Sequence, residues 1–280
     1  MKWLEANKKN SIEAFYTFLS YKSISADPTY RNDLLACCDW LEKWLTSIGL
    51  DVERWETSGY PVLFASSMRG GEGAPTVLFY HHYDVQPVDP LELWKSDPFT
   101  PEERDGALYA RGAQDNKGQC AFCLAAIEAY LSENPKVNIK VVIEGEEETG
   151  SSGLTAILDK KRGKLAADHL YIIDTDIPGP STPAVTIGVR GIMTLELMCR
   201  GSSTDLHSGL FGGLAYNPNR ALAELLAMLW DEKGHIAIPG FYDDVEPLTE
   251  RERSLLASEL ELDLSTVYAS PHEEGYTACE

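Results

Sequence analysis

Three clusters of side chains that bind metals or move protons lie between residues 77 and 150. In chain order they are His82-Tyr83-Asp84, Asp115-Asn116-Lys117-Gly118 and Glu146-Glu147-Glu148-Thr149-Gly150. The first and last clusters directly follow short apolar runs, which indicates that they lie where strands end. An imidazole and several carboxylates at one edge of a sheet suit a divalent metal such as zinc, manganese or cobalt. These residue types therefore predict a metal-dependent hydrolase.

Two assignments are possible for His82 and Asp84. Either side chain can ligate a metal directly, or Asp84 can accept the second N–H of the imidazole and so fix its tautomer. A histidine near the end of a strand is more often structural, so this pair alone is a weak signal. The sequence predicts a site only because the other two clusters accompany it.

The acidic residues also have ordinary explanations when each is taken alone. Asp115 precedes a predicted helix and would serve as its N-terminal cap, and Glu146–Glu148 would form a solvated loop. Two bare carboxylates about 4 Å apart, however, repel by roughly 4 kcal/mol at an effective dielectric near 20. Bound cations are the simplest compensation. Two metals bridged by one carboxylate would activate a water molecule, and a glutamate that does not bind metal would move its proton.

Helices and strands alternate along the first two thirds of the chain, which predicts an α/β fold with a largely parallel mixed sheet flanked by helices. The predicted helices are 4–20, 31–48, 118–133, 152–161 and 218–232, and the predicted strands are 51–56, 61–66, 76–80, 137–143, 170–173, 184–189, 192–199 and 236–238. Ligands of such sheets collect at the carboxyl ends of the strands. Most of the motifs fall there.

The pattern changes near residue 190. Residues 192–199 alternate apolar with polar side chains, as an antiparallel strand covered on one face would. Two domains are therefore predicted, a metal-binding catalytic domain at 1–189 and a second α+β domain at 190–280, which the family resemblance given below implies is partial.

Composition excludes several classes of partner. The chain of 280 residues has a formal net charge of −20, which repels nucleic acid and anionic lipid. No apolar run approaches the roughly 18 residues that a membrane span needs. The N-terminal residues 1–5 lack the apolar core of a signal peptide. A cytoplasmic protein without nucleic-acid or membrane partners is predicted.

Cys120 and Cys123 form a C-x-x-C, which is compatible with redox or zinc chemistry. The alternative is a helix core, because Cys120, Cys123, Leu124 and Ile127 recur at the spacing of one buried helical face. No second C-x-x-C is present to complete a four-cysteine zinc site. The helix core is the preferred interpretation.

Six stretches in a fixed order carry a family resemblance. They are YHHYDVQP at 80–87, WKSDPF at 94–99, DGALYARGAQDNKG at 105–118, EETGS at 147–151, GVRG at 188–191 and DLHSG at 205–209. With this combination the chain resembles the M20 family of two-metal exopeptidases, which holds the carnosine dipeptidases and the aminoacylases. It is most similar to the bacterial dipeptidases of that family. The resemblance implies a zinc-exopeptidase-like fold with a lid and dimerisation domain at 190–280.

The resemblance also implies a role for each matching residue around the first metal. His82 corresponds to a ligand of this metal, with Asp84 supporting the imidazole, and Asp115 corresponds to the carboxylate that bridges two metals. The peptide bond after the bridging residue, here Asp115–Asn116, is typically cis in the family. Asp174 corresponds to the remaining carboxylate ligand, and its spacing to residues 188–191 favours it over Asp176.

Three further residues complete the implied machinery. Glu147 corresponds to the general base and Glu148 to a ligand of the second metal. His207 corresponds to a second-domain histidine that, across a dimer, holds the substrate and the developing oxyanion. Relatives run on past this length, return to the first domain and supply a late histidine to the second metal. His235 and His272 are poor replacements, so a C-terminally truncated chain with an incomplete second site is expected.

The predicted function is hydrolysis of dipeptides or short peptides by a metal-activated water with a glutamate general base. Two divalent ions are predicted as cofactors, zinc in the first place and manganese or cobalt as alternatives. The partners are a small peptide substrate and, if the lid domain were complete, a second copy in a homodimer. Two alternatives are an N-acyl amino acid deacylase with the same metal site and a non-catalytic remnant that binds one metal. The missing histidine is the feature that favours the remnant.

Overall fold

A computed structural model describes residues 2–175, 177, 184–186, 188–189 and 191–258. The backbone separates into two compact units, Met1–Asp176 and Ile177–Glu280. The division near residue 190 stays a prediction. Within the described residues, no helix combines the length and the apolar character that crossing a membrane would take.

The first unit is built on a five-stranded mixed sheet in the order β1-β2-β6-β3-β7. Its strands are β1 (Asp51–Trp55), β2 (Val62–Ser67), β3 (Thr76–His82), β6 (Asn138–Glu144) and β7 (His169–Ile172), and a separate two-stranded ribbon holds β4 (Glu102–Arg104) and β5 (Ala107–Tyr109). β3 pairs in parallel with β6 and β7, whereas β2 is antiparallel to both β1 and β6. Four of the five strands thus run in one direction, which confirms the predicted α/β fold.

Helices cover both faces of this sheet. They are α1 (Lys2–Ser20), α2 (Arg31–Ser47), α3 (Lys117–Leu131) and α4 (Ser152–Leu165). The main core lies between one face of the sheet and the buried residues of α1, α2 and α3. A smaller core forms where Leu154 of α4 packs against Trp55, Phe64 and Val142. Gly49 takes a φ of 89° just after α2, a left-handed conformation that commonly ends a helix.

The C-x-x-C pair belongs to the core. Cys120 and Cys123 are 0% and 3% exposed on the inner face of α3, and both are free thiols. Burial raises the pKa of Cys123 to about 12, so the reactive thiolate form is suppressed. The helix-core interpretation is confirmed.

Replacing Leu124 by Ala is expected to lower the free energy of unfolding by about 3 kcal/mol, because it opens a cavity in the main core. Leu124 is fully buried on α3. Phe122 lies two residues earlier on the same helix with 58% of its surface exposed, so Phe122→Ala is the matched control and should cost less than about 1 kcal/mol. Urea unfolding followed by circular dichroism measures both. Equal losses would contradict this assignment of the core.

The second unit holds α5 (Ser208–Phe211), α6 (Pro218–Ala227) and α7 (Glu250–Ser258) in its described residues. Residues 192–199 form no strand there, so that prediction was wrong for the described structure. Alternation orients side chains, but a strand also needs a neighbouring backbone to pair with. The predicted strand at 236–238 is reduced to an isolated bridge between Trp230 and Ile236. Of the predicted strand 184–189, the described residues are not in a strand and Ile187 lies outside them.

Candidate metal centre

Three adjacent parallel strands deliver the candidate residues to one edge of the sheet. His82 ends β3 and lies opposite Glu144 at the end of β6, and Asp174 follows β7 by two residues. The turn after β6 holds Glu147 and Glu148 in a short 3₁₀ helix. Because parallel strands end at the same edge, residues distant in sequence become neighbours.

The imidazole of His82 faces three carboxylates. Its Nε2 lies 3.1 Å from Oδ1 of Asp115, 3.5 Å from Oδ2 of Asp174 and 3.8 Å from Oε2 of Glu147. The ligand atoms of His82, Glu147 and Asp174 all lie within 4.8 Å of one another. A cavity of about 220 Å³ opens beside Asp115 and Asp174.

Asp84 is completely buried and supports this arrangement from behind. Its carboxylate lies 3.3 Å from Nδ1 of His82, which also contacts the backbone carbonyl of Asp84 at 3.1 Å. The backbone amides of Glu147 and Glu148 each donate to it at 3.2 Å, and the Ser25 hydroxyl donates at 2.6 Å. One buried acid therefore links the histidine to the glutamate turn.

Electrostatic coupling is strong at this edge. Burial alone would lower the pKa of His82, but hydrogen bonds to Asp115, Asp174 and Asp84 raise it to about 12. Burial also raises the pKa of Asp174, yet His82 and Asn116 hold it below its usual value. Burial raises the pKa of Glu147 and of Glu148, and neighbouring carboxylates add to both shifts. The acids thus outnumber the one imidazolium available to them in this cluster.

The donor set fits a divalent metal. Zinc binds histidine nitrogen and carboxylate oxygen at about 2.0–2.2 Å, so ligand atoms of a tetrahedral site lie roughly 3.4 Å apart. The separations from Nε2 of His82 to the three carboxylates, 3.1 to 3.8 Å, bracket that spacing. A cation among them would replace the proton on His82 and offset the excess negative charge.

Zinc binding is expected to release about one proton from His82 at pH 7, and the affinity should rise with pH. The sign follows because the raised pKa keeps this imidazole protonated in the metal-free protein, whereas a metal ligand must be neutral. Calorimetric titration at pH 7 in buffers of different ionisation enthalpy measures the released proton. A heat that does not depend on the buffer would contradict this prediction.

The structure brings His82, Asp84, Asp115, Glu147 and Asp174 together, whereas the roles of Glu148 and His207 stay predictions. Oε2 of Glu148 accepts a hydrogen bond from Gln86 at 2.7 Å, and among the described residues neither Glu148 nor Asp115 belongs to the mutually close group of His82, Glu147 and Asp174. His207 belongs to the second unit, where its exposed side chain accepts from the amide of Gly209 and caps α5.

Three residues remain as alternative metal ligands: His235, His272 and Asp176. His235 is exposed in the second unit and pairs with Asp231 at 3.1 Å. His272 and Asp176 lie outside the described residues. The peptide bond between Asp115 and Asn116 is cis, as the resemblance implied.

Sequence reasoning assigned no role to His81, Gln86 or Asn116, although all three lie inside the quoted motifs. Asn116 is completely buried between the ends of β3 and β7 and hydrogen-bonds with both. The sequence signal that could have identified Asn116 was its position directly after Asp115. His81 was harder to find, because neighbouring side chains on a strand point to opposite faces.

Fold and site together define an α/β protein with a metal-binding edge of imidazole and carboxylates. The chain belongs to peptidase family M20/M25/M40, whose model matches residues 78–277. This confirms the family resemblance seen in the motifs. Membership implies use of a divalent metal, in agreement with the donor set at the carboxyl ends of the strands.

Individual relatives agree with this assignment. The chain is 43% identical to human Beta-Ala-His dipeptidase over 183 residues, covering 63% of this chain and 36% of the relative. It is 33% identical to Cys-Gly metallodipeptidase dug1 of Schizosaccharomyces pombe, covering 90% of this chain and 56% of the relative. The M20 family metallo-carboxypeptidase Sso-CP2 of Sulfolobus solfataricus has a similar structure, with a TM-score of 0.80 and 33% identity over 95% of this chain and 60% of that one. The chain spans from about a third to under two thirds of these proteins.

Proposed function

We propose that this protein is a metallopeptidase that hydrolyses dipeptides or short peptides. The observation that carries the proposal is the convergence of Asp115, Glu147 and Asp174 on Nε2 of the buried His82, with Asp84 behind it. Family membership and the dipeptidases among the relatives support the substrate class. The two relatives named for their substrates act on Beta-Ala-His and on Cys-Gly, so these are the first dipeptides to test.

The residues proposed to hold the metals are those of the family pattern, and the short distances from Asp115 and Asp174 to Nε2 of His82 support the choice. His82, Asp115 and Asp174 would hold the first ion, and Asp115 and Glu148 the second. When bound, the ions supply Lewis-acid activation of a water molecule and of the substrate carbonyl. Zinc is the proposed metal, with manganese and cobalt as alternatives.

Glu147 is the proposed general base. Its carboxylate reaches the metal edge but, unlike Asp174, accepts no side-chain hydrogen bond from the described residues that holds one oxygen in place there. Burial raises the pKa of Glu147 above its usual value, which moves it toward the range useful for a base near neutral pH. It would take a proton from the attacking water and deliver it to the leaving amine. Asp84 would keep both His82 and the Glu147 turn in position.

Metal reconstitution with a substrate panel tests the proposal. The chelator-treated protein would be titrated with zinc, manganese or cobalt and then assayed on Beta-Ala-His, Cys-Gly and N-acetyl amino acids. Turnover of dipeptides that depends on added metal is the expected result. Turnover of N-acetyl amino acids alone would indicate a deacylase instead. Metal binding without any turnover would indicate the non-catalytic remnant.

His207 would contact substrate and the developing oxyanion, and a homodimer would form through the second domain. A cytoplasmic location also stays a prediction. Size-exclusion chromatography with light scattering measures the oligomeric state, and a monomer at micromolar concentration would contradict the dimer.

A further inference from the structure

The side-chain amide of Asn116 lies at the centre of a buried hydrogen-bond network directly beneath the candidate metal centre. Its Nδ2 donates to the backbone carbonyl of Ile173 at 2.7 Å and to Oδ1 of Asp174 at 2.9 Å. Its Oδ1 lies 2.8 Å from Nδ1 of His81 and accepts from the backbone amide of His82 at 3.4 Å. Asn116 and His81 are both 0% exposed, so no bulk water competes for these bonds.

The orientation of this amide is determined by its partners. The carbonyl oxygen of Ile173 and the carboxylate of Asp174 can only accept, so the NH₂ group of Asn116 must face them. The oxygen of Asn116 therefore faces His81, and Nδ1 of His81 must carry a hydrogen to donate. Nε2 of His81 has no partner and is buried, so the hydrogen bond to Asn116 is the only one that orients this ring among the described residues.

The network separates the two oxygens of Asp174. Oδ1 is occupied by the donor from Asn116, which leaves Oδ2 directed toward Nε2 of His82 at 3.5 Å. An amide flipped by 180° would place its own oxygen against Oδ1 of Asp174, and acceptor against acceptor is repulsive. The flip would also turn the NH₂ group toward the backbone N–H of His82, a donor that cannot change its role, and it would break the hydrogen bond from His81.

We propose that Asn116 and His81 form a positioning pair that presents Oδ2 of Asp174 to the metal, with His81 acting through Asn116. Neither residue touches the reacting atoms. This inference rests on the proposed function, because it assigns a role at the same metal site. The alternative is that the network only stabilises the fold, in which case its loss would lower stability and leave metal affinity unchanged.

Metal affinity of the full 280-residue chain tests the pair. The Kd for zinc would be measured by competition with a chromophoric chelator, and the visible spectrum of the cobalt-substituted protein would report ligand geometry. Asn116→Asp keeps the shape but replaces the donor by a carboxylate oxygen. It is expected to weaken zinc binding by about 10–100-fold and to change the cobalt spectrum.

Asn138→Asp is the matched control. Asn138 is another buried asparagine, 3% exposed, at the opposite end of β6, where its amide donates to the carbonyls of Gly71 and Ala74. Losing those bonds should cost stability in the same way, but the Kd for zinc should stay within about threefold of the wild-type value. Equal Kd values for Asn116→Asp, Asn138→Asp and wild type would overturn the inference.

Variants at His81 provide a second, independent measurement if Asn116→Asp does not fold. His81→Leu removes the N–H, whereas an asparagine at this position can place an N–H near the original Nδ1. His81→Leu should weaken zinc binding about tenfold, and His81→Asn should restore it to within threefold of wild type. Equal affinities in the two variants would contradict the role of His81. Failure of the wild-type chain to bind zinc, manganese or cobalt would instead refute the proposed function.

Discussion

Glu147→Gln is expected to lower kcat for dipeptide hydrolysis by about 10²–10⁴-fold while leaving the Kd for zinc nearly unchanged. Glutamine keeps the size of the side chain but cannot accept the proton from the attacking water. Loss of the Glu147 carboxylate should therefore slow the chemical step and leave the metal ligands intact. Steady-state kinetics of the zinc-loaded protein, combined with a zinc titration of the same variant, separates the two effects.

The zinc titration is decisive because the structure leaves Glu147 close enough to act as a ligand. Its Oε2 lies 3.8 Å from Nε2 of His82, inside the group of mutually close ligand atoms. A 100-fold weaker zinc affinity in Glu147→Gln would show a ligand and contradict the assignment as a base. Glu146→Gln is the neighbouring control. The Glu146 carboxylate lies against Gly59 and Gly153, so this change should alter neither kcat nor zinc affinity by more than about threefold.

Asp84→Ala is expected to lower the free energy of unfolding by about 3–5 kcal/mol and to weaken zinc binding at least 10-fold. The buried carboxylate accepts from the amides of Glu147 and Glu148 and from the Ser25 hydroxyl, and it lies beside Nδ1 of His82. Removing it leaves those donors buried without an acceptor, at about 1–3 kcal/mol each when no water enters. Urea unfolding and zinc titration measure the two losses.

Two control variants distinguish loss of the Asp84 charge from loss of a single hydrogen bond to it. Ser25→Ala removes a single donor and keeps the carboxylate, so it should cost no more than about 1.5 kcal/mol and leave zinc affinity unchanged. Asp84→Asn keeps the shape but presents an NH₂ group to donors, so its losses should approach those of Asp84→Ala. A stable Asp84→Asn protein with wild-type zinc affinity would contradict the proposed role of the charge.

Most elements of the first unit could be predicted because their signals are local. The periodicities of residues 4–20, 31–48 and 118–133 predicted α1, α2 and α3 to within a few residues of their ends. The elements predicted in the second unit agreed less well. Residues 192–199 show the alternation of a strand, but pairing depends on a partner segment that alternation does not identify.

The sequence by itself determined the chemistry available to this protein, because His82, Asp84, Asp115, Glu147 and Asp174 follow strands or precede a helix in recognisable motifs. Only the tertiary structure decided how they meet. The parallel pairing of β3 with β6 and β7 brings Asp174 next to His82, 92 residues away. The tertiary structure also determines the orientation of the Asn116 amide and its hydrogen bond with His81. Such hydrogen bonds depend on which distant backbone and side-chain groups become neighbours, and local sequence patterns carry no information about that.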